Sequence, residues 1–427
     1  MNKKYTKLIK IFLLSVLIIS SFFPFSIADE IREGQKEELQ IYSNSVILVD
    51  SNTGQVLYES NSDKITYPAS TTKLMTAILT VENCKLDDTV TVSQDALKGI
   101  PYSYTIANLQ PNEKLTVEQL LHVLLIPSAN DAANVLAYHI SGSVENFTEL
   151  MNAKAQELGA TNTHFENPSG IHSDNHYSTA RDMAIIGKYA TKFDIIREIT
   201  QKTECTLPNL PDGTERKFKT TNPLLQTDNK YFYEYATGLK TGYTDKAKSC
   251  IVATARKDDL NLLCVVLGGD KIDSKNSYRD IDCHTLFDYG LNNFSDIYVC
   301  KKNDSVDLSN QEDIPEILKD TTIQFSDDIH MLVNKNSDLT PKIEWKTDLH
   351  LPIEKGATVG IATYTINGDT YTVDLISKDK ILPIKNGNVM LYILIGLFGF
   401  LIVFIFTSSK HKNKYHKKSR SRMWYER

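Results

Sequence analysis

No CxxC pair and no HExxH pair occurs in the 427 residues, so the ligand spacings of structural zinc, of dithiol redox chemistry and of a helical metalloprotease are missing. No metal or cofactor is expected. Six cysteines are far too few for a fold stapled by disulfides, and their positions specify no pairing. Strong basicity is absent too: 47 Lys and Arg against 53 Asp and Glu leave a formal charge of -6, and no basic domain offers a surface to nucleic acid. Internal repeats and low-complexity segments are also missing. What remains is ordinary globular sequence, 41% hydrophobic and long enough to bury at least one large core.

The basic residues that stand out gather at the two ends. Lys3, Lys4, Lys7 and Lys10 precede the apolar run IFLLSVLIISSFFPF, and Ser26, Ile27 and Ala28 supply the small residues of a cleavage site. Residues 1–28 are therefore expected to be a secretory signal, with Asp29 opening the mature chain. Near the other end Val389 to Phe406 is an apolar run of 18 residues, about 27 Å long as a helix and enough to cross a bilayer core. Lys410, Lys412, Lys414, Lys417, Lys418, Arg420 and Arg422 follow it. This predicts a single transmembrane helix at 389–406, a basic cytoplasmic tail at 407–427 and a globular part on the extracytoplasmic face of the cell membrane.

Between the ends, VILVDSNTGQVLYE reads as a β-hairpin turning at Asn52, Thr53 and Gly54. TTKLMTAILTVE, VEQLLHVLLI, NDAANVLAYHI and VENFTELMNAKAQELG carry apolar residues at helical spacing, the last stopping at Gly159. SCIVATARKDDLNLLCVVLGG then gives two β-rich runs around Lys257 to Asp259, and YRDIDCHTLFDYGL a closing helix. After about Ile297 helical signals stop and short alternating segments begin, among them TVGIATYTINGDTYTVDLI with a turn at Asn367 and Gly368. The expected organisation is a mixed α/β unit at 29–297, a small all-β domain at 298–382 and a linker at 385–388 leading to the membrane span.

Three SxxK patterns occur: Ser70 to Lys73, Ser377 to Lys380 and Ser409 to Lys412. Taken alone, the first reads as well as a helix cap followed by a surface lysine. Its setting separates it, because Pro68 suits an opening helical turn and residues three apart share a helix face. A serine hydroxyl needs a base to become a nucleophile, and a lysine can be that base only if its amine is neutral. Burial, a helix N-terminus and a second cation nearby all disfavour the charged form. A second lysine and a hydroxyl relay are therefore expected elsewhere in the chain. PSANDAANVLA places Ser128 and Asn130 where an apolar run meets a helix, and ATGLKTGYT places Lys240, Thr241 and Gly242 ahead of a β-rich run. Each has a plain alternative, a helix cap for Ser128 and an ordinary turn for Lys-Thr-Gly. On a strand Lys240 and Gly242 share one face, and Gly242 has no side chain to keep a substrate backbone away.

The order SxxK, SxN, KTG is the motif set of β-lactamases and penicillin-binding proteins. The chain resembles the D-alanyl-D-alanine carboxypeptidases of the low-molecular-weight penicillin-binding group, from about Tyr42 to Phe294, in ILVDSNTGQVLYESNSDKITYPASTTKLMTA, LLIPSANDAANVLA, MNAKAQELGATNTHFENPSGIHSDNHYSTARDMA and ATGLKTGYTDKAKSCIVATA. Agreement is weaker in LPIEKGATVGIA of the β domain. Two departures stand out: Lys248 occupies a position where glycine is expected, and the C-terminal anchor is a full span where many relatives carry an amphipathic helix. The resemblance implies a catalytic domain with a helical subdomain and an antiparallel sheet flanked by helices. It implies Ser70 as the residue acylated by the penultimate D-alanine carbonyl, Lys73 as its base, Ser128 as proton relay and Asn130 as a holder of Lys73 and the substrate amide. Lys240, Thr241 and Gly242 would bind substrate, with Arg279 assisting at the terminal carboxylate and the N–H groups of Ser70 and Tyr243 forming an oxyanion hole. The implied partners are peptidoglycan stem peptides ending in D-Ala-D-Ala and β-lactams that acylate the enzyme. A D-alanyl endopeptidase, a β-lactamase using Glu166 as a hydrolytic base, and an inactive envelope-binding module are the alternative functions.

Overall fold

The computed structural model describes residues 39–419 apart from 102, 274–275, 310, 312, 367 and 384–388, with side chains up to residue 407. The expected signal at 1–28, the linker at 385–388 and residues 420–427 of the tail lie outside the described residues. Two compact units divide the chain between Asn292 and Asn293.

The first unit opens on the expected hairpin, β1 (Ser45–Asp50) and β2 (Val56–Ser60). Asp50 organises its turn by accepting from the N–H groups of Asn52 and Thr53, both at 3.1 Å, and Gly54 closes it at φ +86°. Helix α1 (Lys73–Asn83) follows. The pair β3 (Thr89–Thr91) and β4 (Lys114–Thr116), too short to show a period in the sequence, leads into α2 (Val117–Leu125). A Thr116–Gln119 capping box starts α2. Helices α3 (Asn130–Ser141) and α4 (Val144–Leu158) end on Gly142 and Gly159, both left-handed. Leu74, Met75 and Ile78 of α1, Leu120 and Leu124 of α2, Leu136 of α3 and Phe147 and Met151 of α4 share one buried core. Burying each such side chain stabilises by about 1.5–3 kcal/mol.

Next come α5 (Ala180–Ala190), α6 (Asp194–Thr200), the short pair β5 (Glu204–Leu207) and β6 (Arg216–Lys219), and the long strands β7 (Ala236–Thr244), β8 (Lys248–Lys257) and β9 (Leu260–Gly269). Helix α7 (Tyr278–Asn293) closes the unit. The antiparallel sheet runs β2-β1-β9-β8-β7, which leaves β7 on an edge. All six residues of β1 are buried, so both faces of the sheet are covered. A Cβ on Gly187 of α5 would stand 2.7 Å from Val252 and 3.1 Å from Leu263, and one on Gly290 of α7 would stand 2.6 Å from Leu262. Leu262 and Leu263 are consecutive on β9 and point to opposite faces. The two helices therefore flank the sheet, each seated through a glycine.

The second unit begins with β10 (Phe294–Cys300), four residues ahead of the expected domain start at 298, and β10 pairs with β12 (Ile329–Asn334). The second sheet runs β11 (Ile323–Phe325), β15 (Asp369–Ser377), β14 (Thr358–Ile366), β13 (Lys342–Trp345). Ser377 of the second SxxK pattern is buried at the end of β15, donating to the Asp379 carbonyl at 2.7 Å, which is a structural role. Helix α8 (Val389–Ser419) contains an apolar stretch, Met390–Thr407, with mean hydropathy 2.6 and none of it buried. It is a candidate membrane anchor. The six cysteines carry free thiols, with the sulfur atoms of Cys264 and Cys283 3.7 Å apart.

Candidate active site

Pro68 starts a short 3₁₀ turn, Ala69–Thr72, that passes directly into α1. Ala69 is left-handed at φ +49°, a backbone state that costs a non-glycine residue on the order of 1 kcal/mol and that clusters where function demands it. The turn leaves Ser70 half-buried and sets Lys73, the first residue of α1, wholly out of solvent. Lys73 Nζ lies 3.0 Å from Ser70 Oγ, 2.8 Å from Asn130 Oδ1 and 2.6 Å from the Ser169 carbonyl oxygen. Burial above all, and then the charge of Lys240, hold Lys73 well below the ordinary lysine range, opposed by the Asp131 carboxylate. A neutral amine has two N–H bonds and one lone pair. Asn130 and Ser169 offer only acceptors, so they take the two N–H bonds and the lone pair is left facing the Ser70 hydroxyl.

Asn130 opens α3 and is itself held: its Nδ2 donates to the Thr105 carbonyl at 2.9 Å, which turns Oδ1 toward Lys73. Two residues earlier Ser128 is left-handed at φ +71°. Its Oγ is buried and has no hydrogen-bond partner among the described residues. An unpaired buried hydroxyl costs about 1–3 kcal/mol, an outlay consistent with a group waiting for a ligand.

The edge strand β7 supplies the rest. Lys240 is 1% exposed and donates to the Thr241 carbonyl at 2.9 Å; burial, helped by the charge of Arg279, lowers its pKa to about 7. Thr241 Oγ1 meets Thr221 Oγ1 at 2.5 Å. A Cβ on Gly242 would stand 2.7 Å from the Ser70 backbone nitrogen and 3.2 Å from the Pro68 carbonyl oxygen. The close approach that requires glycine is thus made by the turn that carries Ser70. Tyr243 projects outward, 41% exposed. Arg279 is nearly buried on α7, but its guanidinium is engaged by Asp280, at 2.8 and 2.7 Å, and by the Cys250 carbonyl at 3.4 Å. Lys248 has φ +60°, which is the physical reason a glycine is expected there.

With these motifs converging on one turn, the comparisons decide the family. Residues 32–271 match the model described as D-alanyl-D-alanine carboxypeptidase, and 294–388 match the C-terminal domain of penicillin-binding protein 5. The chain belongs to the D-alanyl-D-alanine carboxypeptidase family. It is a low-molecular-weight penicillin-binding protein and a serine peptidase. It is similar to the D-alanyl-D-alanine carboxypeptidase DacF of Bacillus subtilis (strain 168), 32% identical over 84% of this chain and 91% of that one. The carboxypeptidase DacA of Escherichia coli (strain K12) is 28% identical over 78% of this chain and 81% of its own. Among solved structures, penicillin-binding protein 5 from Haemophilus influenzae superposes with a TM-score of 0.61 at 26% identity, covering 81% of this chain and 99% of that one.

A loop that carries none of the three motifs also builds the site of this carboxypeptidase. Asn167 Oδ1 accepts from the N–H groups of Ser169, Gly170 and Ile171 at 3.2, 2.8 and 3.1 Å, and Thr76 Oγ1 donates to the Pro168 carbonyl at 2.5 Å. This holds the Ser169 carbonyl on Lys73. A Cβ on Gly170 would collide with the Ala69 carbonyl and stand 2.9 Å from the Ser70 nitrogen. Buried His176 fastens the loop: Nδ1 accepts from the Glu166 N–H at 3.1 Å, so Nε2 carries the proton and donates to Thr72 Oγ1 at 2.8 Å. The cluster Asn-Pro-Ser-Gly was the available turn signal. Glu166 itself is exposed, and its carboxylate accepts from Ser173. That commits it within its own loop rather than to a hydrolytic water at Ser70.

Proposed function

We propose that the protein removes the terminal D-alanine from peptidoglycan stem peptides through an acyl-enzyme on Ser70, and that penicillin acylates the same oxygen. The observation that carries this reading is Lys73, buried and clamped between two acceptors with its remaining valence on Ser70 Oγ. As Oγ attacks the penultimate D-alanine carbonyl, its proton passes to Lys73 Nζ. The Ser70 and Tyr243 N–H groups would receive the developing oxyanion, and β7, as an edge strand, has backbone groups free for this. The C–N bond then breaks, and the leaving amine takes its proton through Ser128 Oγ, whose unpaired hydroxyl suits a relay. Water entering in place of D-alanine, deprotonated by the same base, releases the shortened peptide and frees Ser70.

Lys240 and Thr241 bind the terminal carboxylate in this scheme, with Arg279 adding charge behind them. The protein would work as a single-pass membrane enzyme, exported by its N-terminal signal and held by α8, with the basic tail inside. The test is direct: the full chain in detergent should release free D-alanine from an N-acylated peptide ending in D-Ala-D-Ala, and benzylpenicillin should stop it. Cleavage of D-alanyl cross-links without release of D-alanine from the linear peptide would favour the endopeptidase instead.

A further inference from the structure

We propose that Tyr243 and Lys271 form a subsite for the side chain immediately upstream of the D-alanyl pair, and that it selects side chains carrying a free carboxylate. The proposal rests on the serine-acylation reading above, which fixes the direction of the substrate. With the terminal carboxylate at Lys240 and Thr241 and the scissile carbonyl at Ser70 beside Gly242, an extended peptide runs against β7. Its upstream residues then pass Tyr243 toward the β7–β8 turn. Because β7 is an edge strand, a peptide can lie along it in this way, advancing about 3.3 Å per residue.

The side chains at that end of β7 have a definite chemistry. Gly242 and Thr244 are buried, so Tyr243 is the strand's projection to solvent. Its hydroxyl donates to Asp245 at 2.9 Å, and Lys271 Nζ stands 3.6 Å from the ring centroid, which fixes the ring at both ends. The acids nearby are each engaged. Asp245 takes the Tyr243 hydroxyl, Asp270 pairs with Lys248 at 3.4 Å, and Asp273 accepts from Asn276 at 2.9 and 2.5 Å. Among the described residues Lys271 has no carboxylate within ion-pair distance; its charge faces only the ring.

Lys248 completes the arrangement. It takes up a left-handed backbone at φ +60° where glycine would be unstrained, and its ammonium occupies Asp270, the acid next in sequence to Lys271. With Lys248 on Asp270, Lys271 stands beside the aromatic ring as a cation with no ion-pair partner among the described residues. An upstream side chain with a methylene stem and a terminal carboxylate matches this pair, stem on ring and carboxylate on Lys271. A side chain ending in an amine meets like charge there.

The test compares two N-acetylated peptides, L-α-aminopimelyl-D-Ala-D-Ala and its side-chain carboxamide, on the full chain in detergent at low salt. The acid should be preferred about three- to fivefold in kcat/KM, as for an exposed ion pair. Lys271→Gln should bring the ratio to about one by lowering kcat/KM for the acid peptide, and Lys271→Arg should keep the preference. An unchanged ratio in Lys271→Gln with normal penicillin acylation would overturn the subsite alone. Failure of the unmodified protein to acylate with penicillin would overturn the serine reading and the subsite with it.

Discussion

Lys240→Gln separates two effects of one buried charge. The ammonium is pushed down to about 7 by burial, with Arg279 adding to the shift. If its protonated form holds the substrate carboxylate, kcat/KM of the unmodified protein should fall above about pH 7, approaching tenfold per pH unit. A bound carboxylate favours the charged form, so the same limb in kcat should lie at higher pH. The rising limb belongs to Lys73, which must lose its proton before it can accept one from Ser70. Since Lys240's charge is only the second cause of the low Lys73 pKa, after burial, Lys240→Gln should move the rising limb to higher pH without restoring an ordinary lysine. It should also remove the falling limb. At about pH 6 the loss of one charged hydrogen bond, about 1.5–3 kcal/mol, amounts to about 10- to 150-fold in kcat/KM. At about pH 9, where Lys240 is already neutral, the loss should shrink to a few-fold. The assay is release of D-alanine from an N-acylated tripeptide, and of D-alaninamide from its C-terminal amide, across pH. Equal losses on acid and amide, or a falling limb that persists in the variant, would refute the reasoning.

Two further outcomes follow from the loop at 166–176. Gly170→Ala should lower the rate of penicillin acylation at least about 100-fold, because the new methyl displaces the Ser70 turn and meets φ +81°; the rate is read from mixing with a fluorescent penicillin, and a normal rate would mean that the turn yields freely. His176 has a folded pKa of about 3 against 6.5, so between those values the unfolded chain binds a proton that the folded chain refuses. Its contribution to stability is full above about pH 6.5 and is lost as pH falls toward 3, on the order of 4 kcal/mol in all. His176→Gln should flatten that acid side in denaturant melts taken at several pH values.

The parts of the site legible in sequence were those in which side-chain chemistry is tied to an element boundary. Ser70 and Lys73 sit where a turn becomes α1, Ser128 and Asn130 where α3 begins, and Lys240 to Gly242 on a strand. The long helices and the β8–β9 hairpin were equally open, since apolar spacing over ten or more residues outweighs local noise. The Ser169 carbonyl was not legible, because a backbone acceptor carries no side-chain signature. Gly242 was singled out for a substrate, yet its neighbour is the Ser70 backbone, a contact between residues far apart in sequence. The glycine expected at Lys248 is explained by its φ, while the lysine that stands there has a partner only the fold reveals, Asp270. Arg279 was implied by the resemblance alone, and nothing in the sequence signals that its guanidinium is taken up by the neighbouring Asp280 and the Cys250 carbonyl. The three- and four-residue strands β3 to β6 are shorter than any period that could announce them.

The proposed chemistry is Ser70 Oγ as nucleophile and Lys73 as its base. It is tested most directly by treating the full chain with benzylpenicillin, measuring the intact mass and mapping the adduct by proteolysis and mass spectrometry. One adduct per chain is expected, carried by Ser70, absent in Ser70→Ala and strongly slowed in Lys73→Ala although both variants keep the fold. A stoichiometric adduct on any other residue, or normal labelling of Ser70→Ala, would contradict it.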